Sequence, residues 1–221
     1  MSLSTTPSSA RTDAAPGAVP GSAPGTGPRH APDPSRLVRL GGLATTAGAV
    51  AWAAGLLATA DVDPATDAYP LAYKAATLLF QLGLVALVAV QLRTRATGTG
   101  RLARGCLHAE HVLLGLAIGS SVQWLVAPGL TDEPFFVALD LCWPLSMLGM
   151  AAIGVRIAVA GRWRGAARVW PALAETWALV MFPVAAVAGA TTESLVGAGH
   201  LVLGYGVLGL VLATRPELTR R

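Results

Sequence analysis

Apolar residues fill six long stretches of the chain, and short polar segments separate them. The stretches are residues 37–60, 72–92, 105–127, 135–160, 170–190 and 194–213. Each is near the roughly 20 residues that an α-helix needs to cross about 30 Å of hydrocarbon. Helices of a soluble protein would carry a polar face, which these stretches lack. The pattern therefore predicts an all-α polytopic membrane protein with six transmembrane helices, the last two joined by a tight hairpin.

Residues 1–35 have the composition of a disordered tail. They contain seven of the fifteen prolines, many Ser, Thr, Gly and Ala, and almost no large apolar side chain. Such a segment cannot bury enough apolar surface to offset the entropy of ordering. No apolar core of a secretory signal precedes Leu37, and no twin-arginine or lipidation pattern occurs, so we expect no cleavage by the secretory route. The predicted organisation is a cytoplasmic tail over 1–35, a six-helix transmembrane domain over 36–214 and a short basic C-terminus over 215–221.

Arginine placement predicts the orientation in the membrane. One set of loops and ends carries arginines: Arg36, Arg39, Arg93, Arg95, Arg101, Arg104, Arg162, Arg164, Arg168, Arg215, Arg220 and Arg221. The alternate loops carry acidic residues and no arginine: Asp61, Asp63, Asp67, Asp132, Glu133 and Glu193. Because arginine accumulates in cytoplasmic loops, we expect both termini in the cytoplasm and the chain in the cytoplasmic (inner) membrane.

The composition excludes a water-soluble domain and does not support nucleic-acid binding. The chain is 53% hydrophobic and 13% charged, whereas soluble domains carry about 25% charged residues. Its net charge of +4 is spread over short loops, whereas a nucleic-acid site needs clustered charge. The basic residues are fifteen Arg and the single Lys74, beside heavy Ala, Gly, Pro and Val usage. In this composition the chain resembles uncharacterised small multi-pass membrane proteins of actinobacteria, a resemblance that assigns a role to no residue.

The two cysteines give no redox site. Cys106 lies at the cytoplasmic end of the third stretch, whereas Cys142 lies near the outer end of the fourth. This difference in depth exceeds the 7 Å between Cα atoms that a disulfide allows. No Cys-x-x-Cys, phosphate loop, His-Glu-x-x-His, Gly-x-Ser-x-Gly or paired aspartate-rich motif occurs either. The missing motifs disfavour an enzyme without excluding one.

Four polar residues form a predicted inner layer, about 6–10 Å below the cytoplasmic surface at 1.5 Å per residue. They are Glu110, His111, Arg156 and Glu175. One interpretation is a buried ion pair of Arg156 with Glu110 or Glu175, since an isolated charge in hydrocarbon is costly. The other is a proton-handling or substrate-binding role for the spare carboxyl, with His111 close enough to exchange the proton.

A predicted outer layer lies at a similar depth below the opposite surface and contains Asp140, His200 and Gln123, with Trp143 beside Asp140. Pro144 has no N–H and frees the carbonyl of Asp140. Trp143 would then cover a cation or a substrate ring, or simply anchor the helix at the interface. Pro183 frees a carbonyl in the same way, whereas Pro171 is expected at a helix start.

Two faces of the third stretch are expected to contact protein or water rather than lipid. His108, His111, Gly115 and Gly119 share one face, and Glu110 projects away from it. The Gly115-x-x-x-Gly119 spacing suits close helix packing, for which we favour a partner within the same chain over dimerisation. His108 and His111 could both reach a metal ion, but two ligands are too few for zinc. No metal and no cofactor are therefore predicted.

The intramembrane polar residues favour a small carrier or a small-molecule binder. The alternatives are a membrane enzyme that acts on a lipid or isoprenoid by acid–base chemistry, and a structural accessory subunit. A carrier needs a polar path between the two layers, an enzyme needs one pocket open to lipid or to one leaflet, and an accessory subunit needs neither. The expected partners are the lipid bilayer and a small-molecule or lipid-like ligand. The oligomeric state is left open.

Overall fold

The computed structural model describes residues 34–62, 69–130 and 133–220. It contains six helical spans long and apolar enough to cross a membrane: Ser35–Ala58, Leu71–Arg93, Arg101–Val126, Pro134–Ala160, Gly165–Val187 and Ala190–Thr214. The described residues contain no strand, so the predicted fold class is confirmed. Nearly all of the predicted tail falls outside the described residues, as do Asp63, Asp67, Asp132 and Arg221.

The first three spans are single helices, and the last three are interrupted. The single helices are α1 (Pro34–Ala58), α2 (Leu71–Arg93) and α3 (Arg101–Val126). The fourth span consists of α4 (Pro134–Asp140) and α5 (Cys142–Ala160), and the fifth of α6 (Gly165–Ala174) and α7 (Trp177–Val187). The sixth consists of α8 (Ala190–His200), a π-helical segment (Leu201–Gly206) and α9 (Val207–Thr214). The last two spans are joined by the predicted tight hairpin.

Pro144 explains the interruption of the fourth span, and the position of Pro171 corrects one prediction. The fourth span breaks at Leu141, three residues before Pro144, as a missing N–H and a ring clash predict. The expectation that Pro171 starts a helix is wrong, because α6 begins at Gly165 and holds Pro171 in its interior. The fifth span then breaks at Glu175 and Thr176, only four residues later. By contrast, α7 continues through Pro183.

Helix α1 packs against α2 on one side and α9 on the other, and glycines permit both contacts. A methyl group on Gly42 would overlap the Gly209 carbonyl oxygen, and one on Gly48 would lie 2.7 Å from the Phe80 Cα. Small residues let helix backbones approach closely in membranes. The Thr46 hydroxyl adds a hydrogen bond to the Gly206 carbonyl at 3.0 Å. The first and sixth spans are therefore joined almost backbone to backbone.

The arginine-bearing segments are tied together at one end of the bundle. The Trp163 indole N–H, in the loop after α5, donates to the Thr94 hydroxyl after α2 at 2.9 Å. The Arg164 backbone N–H donates to the carbonyl of Leu218, near the C-terminus, at 2.9 Å. The second loop, the fourth loop and the C-terminal segment therefore lie on the same side, as the alternation of arginine and acidic loops requires.

Candidate functional site

Helix α3 turns one stripe of polar and apolar residues toward the rest of the bundle. Its buried residues are Leu107, Glu110, Leu114, Ala117, Ser120 and Gln123. Glu110 therefore points inward, and the face that carries His108, Gly115 and Gly119 is exposed. A Cβ on Gly115 or Gly119 would meet no atom within 4 Å among the described residues. Contrary to expectation, this glycine pair packs against no other helix of the described part of the chain.

A cavity of about 470 Å³ lies between α3 and α5 at the arginine-bearing end, and we call it the inner cavity. Its lining is Thr97, Gly100, Leu102, Ala103, Cys106, Ala109, Glu110, Leu113, Gly149, Ala152, Ile153 and Arg156. Most of these side chains are small or apolar. Glu110 supplies a carboxyl group to this lining, and Arg156 supplies a guanidinium group.

The Glu110 carboxyl is held in place by α5. Its side chain is 2% exposed, and its Oε1 accepts a hydrogen bond of 2.6 Å from the hydroxyl of Ser146. Its Oε2 lies against Gly149, where a methyl group would overlap it. A serine and a glycine three residues apart on α5 thus provide a donor and a gap for one carboxyl of α3.

Arg156 is an exposed residue of the same lining. Its guanidinium lies 3.7 Å from the position of a Cβ on Gly98, in the loop between α2 and α3. It forms an ion pair with neither Glu110 nor Glu175 in the part of the chain that the structure describes, so the predicted ion pair is absent. His111 is half-buried and bonds through Nδ1 to the Leu107 carbonyl of its own helix at 3.0 Å. The four inner-layer residues therefore do not form one cluster.

Glu175 lies on the other side of α5, at the break between α6 and α7. Its side chain is 1% exposed, and its Oε1 accepts a hydrogen bond of 2.6 Å from the amide of Gln91 on α2. A Cβ on Gly154 would lie 2.8 Å from its Oε2. Each buried acid thus faces a different glycine of α5: Gly149 for Glu110 and Gly154 for Glu175.

A second cavity of about 390 Å³, the outer cavity, lies between α3 and α4 at the opposite end. Its lining is Ser120, Ser121, Gln123, Trp124, Phe136, Val137 and Asp140. Asp140 is exposed and accepts a hydrogen bond from the Ser120 hydroxyl at 3.2 Å. Gln123 donates its amide to the carbonyl of Ala127 at 2.6 Å. Lys74 stands over the Trp124 ring, 4.6 Å from its centroid.

The structure places the other two predicted outer-layer residues elsewhere. His200 bonds through Nε2 to the Ala174 carbonyl at 3.3 Å, one residue before Glu175. The ring of Trp143 packs against that of Trp52, with centroids 5.9 Å apart. Neither residue lines the outer cavity. Asp140 and Gln123 are brought together there, and Trp124 supplies the aromatic wall that we expected from Trp143.

Sequence reasoning missed the residues that hold the carboxyls. Each of two carboxyls accepts a hydrogen bond from a serine of a neighbouring helix: Glu110 of α3 from Ser146 of α5, and Asp140 of α4 from Ser120 of α3. A serine costs little free energy in an apolar span, so its presence alone does not indicate a site. The useful signal is that these serines lie at the depth of a carboxyl on a neighbouring span, which becomes visible only when two spans are compared.

The cysteines and the described histidines build no further centre. Cys106 and Cys142 are both free, in agreement with the prediction that they do not pair. Cys106 is exposed and lines the inner cavity. Across residues 34–62, 69–130 and 133–220, no three His, Cys, Asp or Glu side chains are grouped so that they could hold a metal ion.

No protein-family model, curated protein or solved structure matches this chain. The function therefore has to be argued from the geometry. The inner cavity combines apolar walls with a hydrogen-bond acceptor and a guanidinium that is not neutralised by a carboxylate of the described residues. Such a chamber can hold a molecule that is itself apolar along its body and polar at two points.

Proposed function

We propose that this protein is a membrane-embedded binder of an amphipathic small molecule, which it holds in the inner cavity. The observation that carries the proposal is the meeting of Glu110 and Arg156 in one largely apolar chamber without an ion pair between them. The ligand has an apolar body for the walls, a hydrogen-bond donor for Glu110 and an anionic end for Arg156.

The size and lining of the inner cavity support this proposal. Small-molecule sites typically have volumes of about 300–1,000 Å³ and apolar walls with a few placed polar groups. The inner cavity, at about 470 Å³, is within that range. Intramembrane ionisable residues are expensive and generally face protein or a polar path. A ligand donor at Glu110 would give this carboxyl a second partner beside Ser146.

Exposure of the lining indicates how the ligand enters. Leu102 is 82% exposed, and Ala109 and Ala152 on the facing walls are also exposed. These side chains lie on the outer surface of a span, where lipid is the neighbour. With the arginine-bearing end in the cytoplasm, the opening faces the cytoplasmic leaflet, and the guanidinium of Arg156 meets the headgroup region.

The stripe between the two cavities favours a binder over a carrier. A carrier needs a polar path between them, but the buried residues of α3 from Glu110 to Ser120 are Leu114 and Ala117. An acid–base enzyme acting on a lipid would use the same cavity, because Glu110 already reaches the bound molecule. Recovery of the ligand unchanged after prolonged incubation supports a binder, and a converted product supports the enzyme.

Chemical labelling of Cys106 tests the proposal. In a Cys142→Ser chain reconstituted in lipid nanodiscs, the only other cysteine is Cys106, which lines the cavity. Oleoyl lysophosphatidic acid is a suitable probe, because its phosphate, hydroxyl and acyl chain provide the three features. At about ten times its Kd it should slow maleimide labelling about tenfold, since roughly nine-tenths of the sites are then occupied.

Three controls make this measurement specific. Methyl oleate, which lacks both polar groups, should leave the labelling rate unchanged. Ala152→Phe should abolish the effect by filling the cavity, whereas Val159→Phe, on an exposed part of α5 outside the lining, should preserve it. Arg156→Gln should weaken probe binding about tenfold, the loss of one charge-assisted hydrogen bond. Equal protection by methyl oleate, or none by the phosphate probe, would contradict the proposal.

The orientation on which the leaflet assignment depends has its own test. We infer that both termini and the loops at Arg101 and Arg164 are cytoplasmic, in the inner membrane, because arginine marks that side. Reporter fusions at these positions should show cytoplasmic activity, and fusions at Glu133 or Gly189 should show external activity. An external terminus would reverse the orientation and assign the inner cavity to the opposite leaflet.

A further inference from the structure

A buried amide and a buried carboxyl meet on the side of α5 away from the inner cavity. The Gln91 side chain is 0% exposed and that of Glu175 is 1% exposed. The amide nitrogen of Gln91 donates to Glu175 Oε1 at 2.6 Å. The remaining oxygen of each group, Gln91 Oε1 and Glu175 Oε2, is buried and has no hydrogen-bond partner.

When Glu175 is ionised, this pair lacks a hydrogen-bond donor. A carboxylate and an amide oxygen are both acceptors, so an ionised Glu175 leaves two buried acceptors without a donor. It also leaves a buried charge that no cation of the described residues neutralises, which is costly in a low-dielectric interior. One proton on Glu175 removes the charge and supplies the missing donor.

The charged and titratable neighbours do not supply that donor. Glu110, across α5, is itself an acid and brings neither a positive charge nor a donor to Glu175. His200 is engaged with the Ala174 carbonyl. The hydroxyl of Tyr205 is buried and has no hydrogen-bond partner, so it donates to neither of the two oxygens.

The backbone around Glu175 is irregular on two adjacent spans. The fifth span breaks directly at Glu175 and Thr176, and the sixth widens into the π-helical segment Leu201–Gly206. Gly204 of that segment is packed tightly against α6: a Cβ there would lie 3.0 Å from the Ala174 Cα. Widened turns and broken helices recur at functional sites in membrane proteins. Here they lie beside a carboxyl that is otherwise sealed from water.

We propose that Glu175 is a proton-binding site inside the bundle. It holds one proton, taken from water, as a carboxylic acid paired with the amide of Gln91, and it exchanges that proton when the break between α6 and α7 opens. The site is separate from the inner cavity and does not depend on the amphipathic ligand. It gives the protein a group that can gain or release a proton in the membrane interior.

Infrared spectroscopy of the full chain in nanodiscs, near neutral pH, tests this assignment. A protonated carboxyl has a carbonyl-stretch band that a carboxylate lacks. Wild type should show such a band, and Glu175→Gln should remove it, whereas Asp140→Asn at the exposed outer acid should leave it unchanged. Transfer into D₂O should shift the band slowly, because exchange of this proton requires opening of the break.

A second variant keeps the test decisive if Glu175→Gln does not fold. Gln91→Leu retains the acid but removes its amide partner, so the band should persist at a shifted frequency. A wild-type spectrum without an acid band, or a Glu175→Gln spectrum that keeps the whole band, would overturn the proposal. Loss of the wild-type band on addition of sodium would also overturn it, since the oxygens of Glu175 and Gln91 would then bind a metal cation.

Discussion

Gly209→Ala is expected to destabilise the helical bundle by about 1–3 kcal/mol, the usual penalty for overpacking a close contact. A methyl group at this position of α9 would overlap both the carbonyl oxygen of Gly42 and the hydroxyl oxygen of Thr46. The Gly42 carbonyl and the Thr46 backbone nitrogen, 2.8 Å from the same Cβ position, belong to the backbone of α1 and cannot move aside without shifting that helix. The free energy of unfolding, measured by titration from mild detergent into sodium dodecyl sulfate, should fall accordingly.

Gly119→Ala provides the matched control, because it makes the same chemical change in another span. No atom of the described residues lies within 4 Å of a Cβ at Gly119, so the added methyl meets no neighbour. Alanine is also a better helix former than glycine by about 1 kcal/mol. Equal destabilisation by the two variants would show that the face of α3 is covered, and no destabilisation by Gly209→Ala would show that α1 and α9 are not in close contact.

These two glycines also show what sequence reasoning can and cannot reach. Local hydropathy and length suffice to find a span, because crossing hydrocarbon is a requirement on each helix alone. The second span is predicted over 72–92 and observed at Leu71–Arg93. Which face of a helix meets another helix is decided by the assembled bundle. Gly115 and Gly119 have the small-xxx-small spacing but no neighbour among the described residues, whereas Gly42 and Gly209 each lie against the other's carbonyl oxygen.

The fifth span shows where the local rules conflict. Its predicted bounds of 170–190 start five residues later than the observed Gly165–Val187, because a proline near a helix start is usually a cap. Here the helix accommodates Pro171 in its interior, and Gly154 of α5 leaves space for the Pro171 carbonyl, which would lie 2.5 Å from a Cβ at that glycine. Packing against a neighbour without a side chain is not visible in the sequence of the fifth span.

Prediction of the candidate site failed for the same reason, because the sequence does not show which helix faces lie next to each other. Counting residues from a helix end gives depth, and depth suggested one inner layer with an ion pair. It gives no lateral position, and α5 stands between the two acids, with Gly149 against Glu110 and Gly154 against Glu175. Arg156 instead lies beside Gly98, in the loop between α2 and α3. The donors that hold the carboxyls are uncharged, a serine and a glutamine, and uncharged polar residues are common in transmembrane helices.

Ser146→Ala is expected to lower the free energy of unfolding by about 1–3 kcal/mol, the penalty for leaving a buried polar group without its hydrogen bond. The Ser146 side chain is 0% exposed, and its hydroxyl is the hydrogen-bond donor that the structure gives to Glu110, at 2.6 Å. Ser120→Ala removes the corresponding hydroxyl from Asp140, which is exposed. That variant should change the free energy by less than about 0.5 kcal/mol.

A double-mutant cycle identifies the origin of the Ser146 effect. In a Glu110→Met background the carboxyl is gone, so Ser146→Ala leaves no acceptor without its donor. The loss of free energy of unfolding caused by Ser146→Ala should then shrink to the small packing change of one oxygen atom. Removing both partners of a buried hydrogen bond is often nearly neutral, whereas removing one is not. A cost that persists unchanged in this background would mean that Ser146 stabilises α5 by packing alone. The Glu110 carboxyl would then be positioned by Gly149 and the cavity walls, without a hydrogen bond of energetic importance.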